Sequence, residues 1–210
     1  MDPPICFTPE EGRLVQDTHF FRTKAIITEK VKEILHRLHG EISEELALSN
    51  LLAPDGVDLE KGQFVKGEHL LDFPYLYLDL PKIFTQSEKF TFRSLFWWGH
   101  FFIFAFILEG KYLECYKSNL LEAYDRIAAG GFSLLMTETP WEWRKEPQFL
   151  LEIRRDNRQK VASALASRSF LKIHRYIDLN HPDFLEGRIV QAGRETFRLM
   201  KPIVSASPLG

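Results

Sequence analysis

Arg93, Trp97 and His100 lie close together in a segment rich in aromatic side chains. A guanidinium group donates hydrogen bonds to carboxylates and phosphates, and an imidazole with an ordinary pKa of about 6.5 can exchange a proton near neutral pH. Flat apolar surfaces with a few polar groups that fix orientation are typical of small-molecule sites. The three residues therefore predict a site for an organic anion or a nucleobase, with His100 as its candidate proton carrier.

These residues belong to two predicted strands, 90–97 and 100–109, which meet at Trp98-Gly99. The glycine and the short gap favour a tight hairpin. Directly opposite residues share a face of a sheet, so one face would combine a cation and an imidazole with a large aromatic surface. A two-residue turn gives the pairs Trp97 with His100, Leu95 with Phe102, and Arg93 with Phe104. Phe102 and Phe104 are therefore predicted to join the ligand-binding residues.

This face also has a purely structural interpretation, which is an alternative to the functional one. Helices could pack on both faces of the sheet, or a long loop could cover this face. Arg93 would then be a rim residue and His100 a turn residue in contact with solvent, since half-polar sheet faces are common.

His174 and Tyr176 lie in a third predicted strand, Ser169–Leu179, in which polar and apolar residues alternate. Lys172, His174, Tyr176 and Asp178 are predicted to point one way, opposite to the apolar row. Together with Asp79, a tyrosine, a histidine and an aspartate suggest acid–base chemistry, so His174 and Tyr176 are added to the predicted ligand-binding residues. The strand period of two produces the same spacing without any function, and a solvated strand face is the simpler interpretation.

Metal and cofactor chemistry have little support in the sequence. His36 and His39 are three residues apart on a predicted helix, a spacing that suits a metal ion, but no third ligand accompanies them. The chain contains no phosphate-binding glycine loop, no nucleophile elbow and no HExxH motif. We therefore predict no metal site and no cofactor, and the catalytic residues, if any, are unknown.

The segment Trp141–Arg158 interleaves tryptophan with arginine, as proteins that bind single-stranded nucleic acid do. Glutamate and aspartate side chains dilute this cluster, and the formal net charge of the chain is −2. A salt-bridged surface with two anchoring tryptophans explains the pattern better, so the nucleic-acid signal is weak.

The hydrophobic periodicity predicts an α+β fold with one mainly antiparallel, aromatic-rich sheet. Helices near the two termini, Lys24–Leu48 and His181–Lys201, are expected to cover its apolar face. Tyr75–Leu80 is a further predicted strand, and Gly62 and Gly67 favour a loop before it. The other predicted elements are a helix over Tyr112–Ile127, a short strand over Phe132–Met136 and a helix over Arg158–Ser167.

The 210 residues are predicted to form a single domain, 1–210, with flexible ends at 1–12 and 204–210. The apolar run Leu95–Leu108 is shorter than the roughly 20 residues that a membrane-spanning helix needs. With two cysteines and no signal-peptide pattern at the N-terminus, a cytoplasmic location is expected.

Four stretches of the chain share their order and spacing with one protein family. They are the first helix with Val31, Leu35 and Ile42, the strand Tyr75–Leu80, the hairpin Phe92–Glu109, and the last helix with Phe184-Leu185-Glu186 and Thr196-Phe197-Arg198. In these stretches the chain resembles the YktB-like family of uncharacterised bacterial proteins, and it departs from the family pattern around Trp141–Arg155. The resemblance implies an α+β fold and a bacterial cytoplasmic protein, and it implies no activity.

The sequence thus favours a non-catalytic ligand-binding or interaction domain that uses one face of its central sheet, with a small molecule as the expected ligand. An enzyme with His100 or His174 as the acid–base group is one alternative. A weak single-stranded nucleic-acid binder that uses Trp141–Arg158 is the other. Ligand identity, oligomeric state and pathway are not determined by the sequence.

Overall fold

Segments rich in aromatic and β-branched residues form one antiparallel sheet of seven strands. The structure is a computed structural model that describes residues 4–206. The spatial order is β1-β2-β3-β4-β7-β5-β6. The strands are β1 Gln63–Leu70, β2 Phe73–Phe84, β3 Lys89–Trp97, β4 Phe101–Glu109, β5 Ser133–Leu135, β6 Leu150–Glu152 and β7 Leu171–Asp178. The predicted α+β class is confirmed, and the strands predicted at 75–80, 90–97, 100–109, 132–136 and 169–179 all belong to this sheet.

Helices cover one face of the sheet, which we call the first face. They are α2 Thr18–Ala47, α3 Leu113–Glu122, α4 Tyr124–Ala128, α5 Arg158–Ala166, α6 Pro182–Leu185 and α7 Ile189–Met200. A further helix, α1 Pro9–Val15, precedes them and has no buried residue. The long helix α2 packs against α7 and β2, and α7 packs against β4, so the predicted covering of the apolar face by the terminal helices is confirmed. Gly193 allows the close approach of α7, because a Cβ there would lie 2.7 Å from the Phe104 ring.

Two predicted helices are interrupted. The single helix expected over Tyr112–Ile127 divides at Ala123 into α3 and α4. The last helix divides at Gly187, whose φ of 78° lies in the left-handed region that favours glycine.

Strand β1 corrects the prediction of a loop around Gly62 and Gly67. It pairs with β2 along Gln63–Gly67, and Gly67 lies inside it because the Tyr75 ring occupies the space of a side chain, 2.3 Å from an added Cβ. A glycine inside a strand marks such a close approach. Strand β6 and helix α1 were not predicted either.

The register of the β3–β4 hairpin is one residue away from the predicted one. The loop has three residues, 98–100, with Gly99 at a φ of 72° and the His100 backbone N–H donating to the Trp97 carbonyl at 3.1 Å. Three-residue hairpin loops with a left-handed residue are a common form. Arg93 therefore lies opposite Ala105, while Phe104 lies opposite Ser94.

This shift moves every side chain of β4 to the other face. Phe102 and Phe104 are fully buried in the core under the helices, whereas Arg93 and Trp97 point to the second face. The prediction that these four residues share a face is wrong.

The ends of the described chain are partly ordered by contacts. Val204 is buried, and its carbonyl accepts a hydrogen bond from the Leu52 N–H at 2.8 Å. The predicted flexible ends include residues 1–3 and 207–210, which lie outside the described residues. None of the helices in residues 4–206 has both the length and the apolar character needed to cross a membrane.

Candidate functional site

The second face of the sheet carries its own small core. Leu95, Trp97, Ile103, Ala105 and Ile107 form it, and Trp143 packs on them from a long loop. We call this loop, residues 137–146, the strap. The interpretation that a long loop covers this face is therefore the correct one.

A row of polar residues crosses the second face from one edge of the sheet to the other. The strand registers align Gln63, Asp79, Arg93, Ala105, His174, Ser133 and Glu152 as successive neighbours. Directly opposite residues share a face, so all seven side chains lie on this one. Ala105 is the one apolar member, and Trp143 packs against it.

Arg93 is held by a carboxylate inside this row. Its Nε donates to Asp79 Oδ1 at 2.7 Å and its Nη2 to Asp79 Oδ2 at 2.6 Å. Asp79 is fully buried, and the guanidinium lies 3.8 Å from the centre of the Tyr77 ring. This bidentate pair neutralises both charges, so Arg93 is not free to bind an anion.

Trp97 and His100 are packed against each other at the end of the hairpin. Trp97 is fully buried, and its indole N–H donates to the Leu70 carbonyl at 3.0 Å. The His100 ring stacks on it at 3.7 Å between centroids and meets Phe73 edge-on at 4.7 Å. Burial lowers the pKa of His100, and the Trp97 ring presents no surface to a ligand.

Strand β7 fastens the strap at two points. Lys172 Nζ donates to the carbonyls of Pro140 at 2.9 Å and Glu142 at 2.7 Å, and it lies 3.3 Å from the centre of the Trp143 ring. Four residues further on, the Tyr176 hydroxyl is within hydrogen-bonding distance of the Trp143 and Arg144 carbonyls, at 3.2 and 3.3 Å. The strap therefore crosses β7 above the residue between these two anchors.

That residue is His174, which is buried and unpaired. Neither ring nitrogen has a hydrogen-bond partner among residues 4–206, although buried polar atoms almost always have one. Burial, together with the nearby Lys172 cation, lowers the pKa of His174 well below its ordinary value, so the imidazole is neutral at physiological pH. The solvated strand face that the sequence favoured is wrong for His174 and Asp79, because the strap and neighbouring side chains exclude water.

An open cleft of about 740 Å³ lies beside His174, between the strap, the β5–β6 edge and α5. Tyr176 and Ser133, the neighbours of His174 along β7 and across the sheet, line it. Phe132, Pro147, Leu151 and Ile153 provide apolar walls, and Lys145, Arg154, Lys160 and Glu152 provide charges.

The cations of the cleft differ in how they are paired. Lys145 contacts Asp178 at 3.1 Å, and Arg154 contacts Asp156 at 3.1 Å. Lys160 is exposed and has no ion-pair partner within the described part of the chain. Arg154 also contacts Glu152 at 3.6 Å, so Lys160 is the one cation of the cleft without a carboxylate partner among residues 4–206.

The Trp141–Arg158 segment does not form a row of stacking rings alternating with free cations. Trp143 is buried, and Arg144 binds Glu142 at 2.6 Å and Glu146 at 3.2 Å. The Arg144 guanidinium, followed by the Trp143 and Arg144 backbone amides, lowers the pKa of Glu142 to about 2 despite burial. Part of the segment instead forms the strap and one wall of the cleft.

Two of the three histidines of α2 have a packing role. His36 and His39 lie over the Phe64 ring of β1, at 4.5 and 5.8 Å between centroids, and His39 Nε2 is 3.1 Å from the Lys61 carbonyl. Over the described ranges, no group of three His, Cys, Asp or Glu side chains is arranged to hold a metal ion.

The structure brings Arg93, Trp97, His174 and Tyr176 to one face and places His100 beside Trp97 in the hairpin loop, but only Tyr176 lines the cleft. Sequence reasoning missed Ser133, Lys145 and Lys160, which come from a three-residue strand, the end of the strap and a helix surface. The excess of basic residues between Arg144 and Arg175 was the signal that could have found the two lysines.

No family model, no curated protein and no solved structure matches this chain. The resemblance to the YktB-like family therefore stays a prediction from the residues alone.

Proposed function

We propose that this protein is a ligand-binding domain and that the cleft beside His174 binds a small organic anion with an apolar part. The observation that carries the proposal is the combination of an exposed, unpaired cation, Lys160, with apolar walls in one open cleft. Its volume lies in the range of about 300–1,000 Å³ that small-molecule sites occupy. The sequence favours a ligand-binding site on one face of the sheet, near Trp97. We propose the same face, but with the site at its Tyr176 end.

Each part of the cleft has a separate task in this proposal. Lys160 attracts the anion, since its ammonium group has no competing carboxylate in the described chain. The aromatic ring of Tyr176 and the side chains of Phe132 and Leu151 contact the apolar part. Ser133 offers a hydroxyl group that can donate or accept a hydrogen bond and so fix the orientation of the ligand. A bacterial cytoplasmic setting, as the resemblance implies, is part of the same proposal.

Titration with an aromatic sulfonate tests this function. The fluorescence of 8-anilinonaphthalene-1-sulfonate rises in an apolar site, and Lys160→Glu should weaken its binding by roughly three- to tenfold, because the substitution reverses a charge at the cleft. Lys30→Glu is the matched control, since Lys30 is also an exposed helix lysine without an ion-pair partner in residues 4–206. Equal weakening by both substitutions, or by neither, would contradict the proposal.

The neutral analogue N-phenyl-1-naphthylamine completes the test. It has the same apolar rings without the sulfonate, so we expect weaker binding and no difference between the wild type and Lys160→Glu. Stronger binding of the neutral probe would show that apolar contact alone accounts for the fluorescence.

An acid–base enzyme is the second candidate, and the unpaired nitrogens of His174 favour it. An imidazole without a partner can accept or donate a proton once a substrate reaches it. Chromogenic carboxylic and phosphate esters are suitable probes. Turnover by the wild type that is lost in His174→Asn, with binding of the aromatic sulfonate retained, would indicate an enzyme, and no turnover in either protein would favour the binding domain.

A nucleic-acid binder has less support than either, because Trp143 is buried and Arg144 is paired. Phosphate binding depends steeply on salt. Tight, salt-sensitive binding of labelled single-stranded RNA or DNA that Lys160→Glu abolishes would make nucleic acid the anionic ligand of the cleft.

A further inference from the structure

The N-terminal part of the chain exposes an unusual amount of apolar surface. Phe7 is 75% exposed, and Ile5, Leu14 and Val15 are exposed to a similar degree. Helix α1 has no buried residue at all. An isolated helix of two turns is not stable in water without packing, so α1 requires a surface that residues 4–206 of one chain do not provide.

Helix α2 continues its inward stripe beyond the body of the protein. Ile27, Val31, Leu35 and Leu38 face the sheet, and Phe20 lies seven residues before Ile27, on the same side of the helix. Phe20 is nevertheless 51% exposed, and its neighbour Phe21 is exposed to a similar degree. The stripe therefore overhangs the sheet by about two turns.

The overhang ends near a second exposed apolar group. Lys24 contacts Glu68 of β1 at 3.1 Å, while His36 and His39 lie over Phe64. Going toward its N-terminus, α2 thus follows β1 toward the β1–β2 turn. Leu71 and Phe73 are exposed at this turn.

We infer that this end of the molecule is a two-fold interface with a second copy of the same chain. The overhanging turns of α2 would pair antiparallel, with Phe20 of one copy at the level of Phe21 of the other. Such a two-fold contact is isologous, so each copy must offer both halves of it. This chain does so, because the apolar arm and the apolar β1–β2 turn lie at the same end.

Charge complementarity supports this register. With Phe20 level with Phe21 of the second copy, Asp17 lies at the level of Lys24 of the second copy, and the reverse contact follows from the symmetry. Asp17 Oδ1 accepts the Phe20 N–H and Lys24 contacts Glu68 of its own chain, so the contact between copies would use Asp17 Oδ2 and a further N–H of the Lys24 ammonium group. An opposite-charge pair therefore flanks the aromatic centre on both sides. The chain turns at Asp17, between α1 and α2, which carries Leu14 and Val15 away from the helix pair and toward the β1–β2 turn of the second copy.

Sedimentation of matched variants tests the interface. The wild type should be a dimer at tens of micromolar, and Phe20→Asp should be a monomer. Ile26→Asp is the control, since Ile26 is 58% exposed on the opposite side of the same helix and should leave the dimer intact. A monomeric wild type, or a dimer that persists in Phe20→Asp, would overturn the inference.

A cross-link gives a second readout that does not depend on loss of association. In a Cys6→Ser, Cys115→Ser background, Phe20→Cys places two thiols beside the two-fold axis, and mild oxidation should yield a covalent dimer. Ile26→Cys should remain monomeric on a non-reducing gel. Equal cross-linking of the two variants would show random collision and contradict the proposed pairing. Both tests are independent of the cleft and its ligand.

Discussion

Arg93 and Asp79 show how a residue that suggests binding can serve the fold instead. An arginine among aromatic rings is typical of an anion site, yet this guanidinium is held by a bidentate contact with a buried carboxylate. Removing one member of such a pair leaves the other charge buried and unpaired, which costs far more than the pair contributes.

Arg93→Met should therefore lower the free energy of unfolding by about 3–5 kcal/mol, because it leaves the carboxyl group of Asp79 buried without its hydrogen-bond and ion-pair partner. The double variant Arg93→Met with Asp79→Leu should recover most of this loss. Urea unfolding measures both variants. A single variant within about 1 kcal/mol of the wild type would contradict the assignment of a buried, structural pair.

Glu45 offers a pH-dependent prediction at the contact between α2 and α7. Its carboxylate accepts hydrogen bonds from Arg198 at 2.7 Å and Arg194 at 2.9 Å, and these cations lower its pKa to about 2 in spite of burial. The folded pKa lies below the unfolded value of about 4.3. The stabilisation is therefore fully present above about pH 4.5 and is lost as the pH falls toward 2.

Glu45→Gln should accordingly be less stable than the wild type at pH 7, by about 1–3 kcal/mol. The difference should shrink steadily below pH 4.5. Urea unfolding at a series of pH values from 7 to 3 follows it. A difference that stays constant over this range would show that the charge of Glu45 contributes nothing.

The strap is the element that decides what the second face can do. It has little regular structure, and the β7 anchors Lys172 and Tyr176 both hydrogen-bond to its backbone carbonyls, while Lys172 also contacts the Trp143 ring. Such contacts constrain the path of the loop and tolerate changes in its sequence. His174 lies beneath it, and the cleft opens at its C-terminal end.

Lys172→Met should loosen the strap without unfolding the sheet, because it removes two hydrogen bonds and the contact with the Trp143 ring. Hydrogen exchange should become faster in residues 137–146, with β3 and β4 unchanged. Lys160→Met is the control, since Lys160 lines the cleft without touching the strap backbone. Unchanged exchange in the strap would mean that Lys172 does not hold it.

The helices and strands were predicted better than the pairing and packing between them. Helix α2 and β7 have clear periods of 3.6 and 2. Both ends of β7 and the C-terminal end of α2 were predicted within two residues, whereas α2 begins six residues before the predicted Lys24. The hairpin register failed for a physical reason: β3 and β4 are buried on both faces, so alternation of polar and apolar residues could not distinguish a two-residue from a three-residue loop. Strand β1 failed because its glycine accommodates the Tyr75 ring, a contact that local sequence does not reveal.

The candidate site was predictable only in part. Lys172, His174 and Tyr176 were correctly placed on one side of their strand, because that strand has one apolar face. A covering loop was one open interpretation, but that residues 137–146 form it could not be foreseen, since the loop is fixed by hydrogen bonds between side chains and backbone atoms far apart in sequence. Ser133 and Lys160 come together with Tyr176 only through the β4-β7-β5 strand order.

At the scale of the whole molecule, three regions have different roles. The first face carries the main core under the helices, the second face carries the polar row and the cleft, and the α2 end carries the apolar arm. A net charge of −2 hides an uneven distribution of charge, because residues 141–210 contain 13 Lys and Arg against 8 Asp and Glu, while the rest of the chain contains 14 against 21.

The most direct test of the central claim is an NMR titration of the isotope-labelled protein with 8-anilinonaphthalene-1-sulfonate, with backbone amide shifts assigned. We predict that the largest changes occur at Ser133, Lys160 and Tyr176, and that they are reduced in Lys160→Glu. Changes centred on Trp97 and His100, or on the apolar arm around Phe20, would contradict the account, because the anion would then bind elsewhere on the molecule.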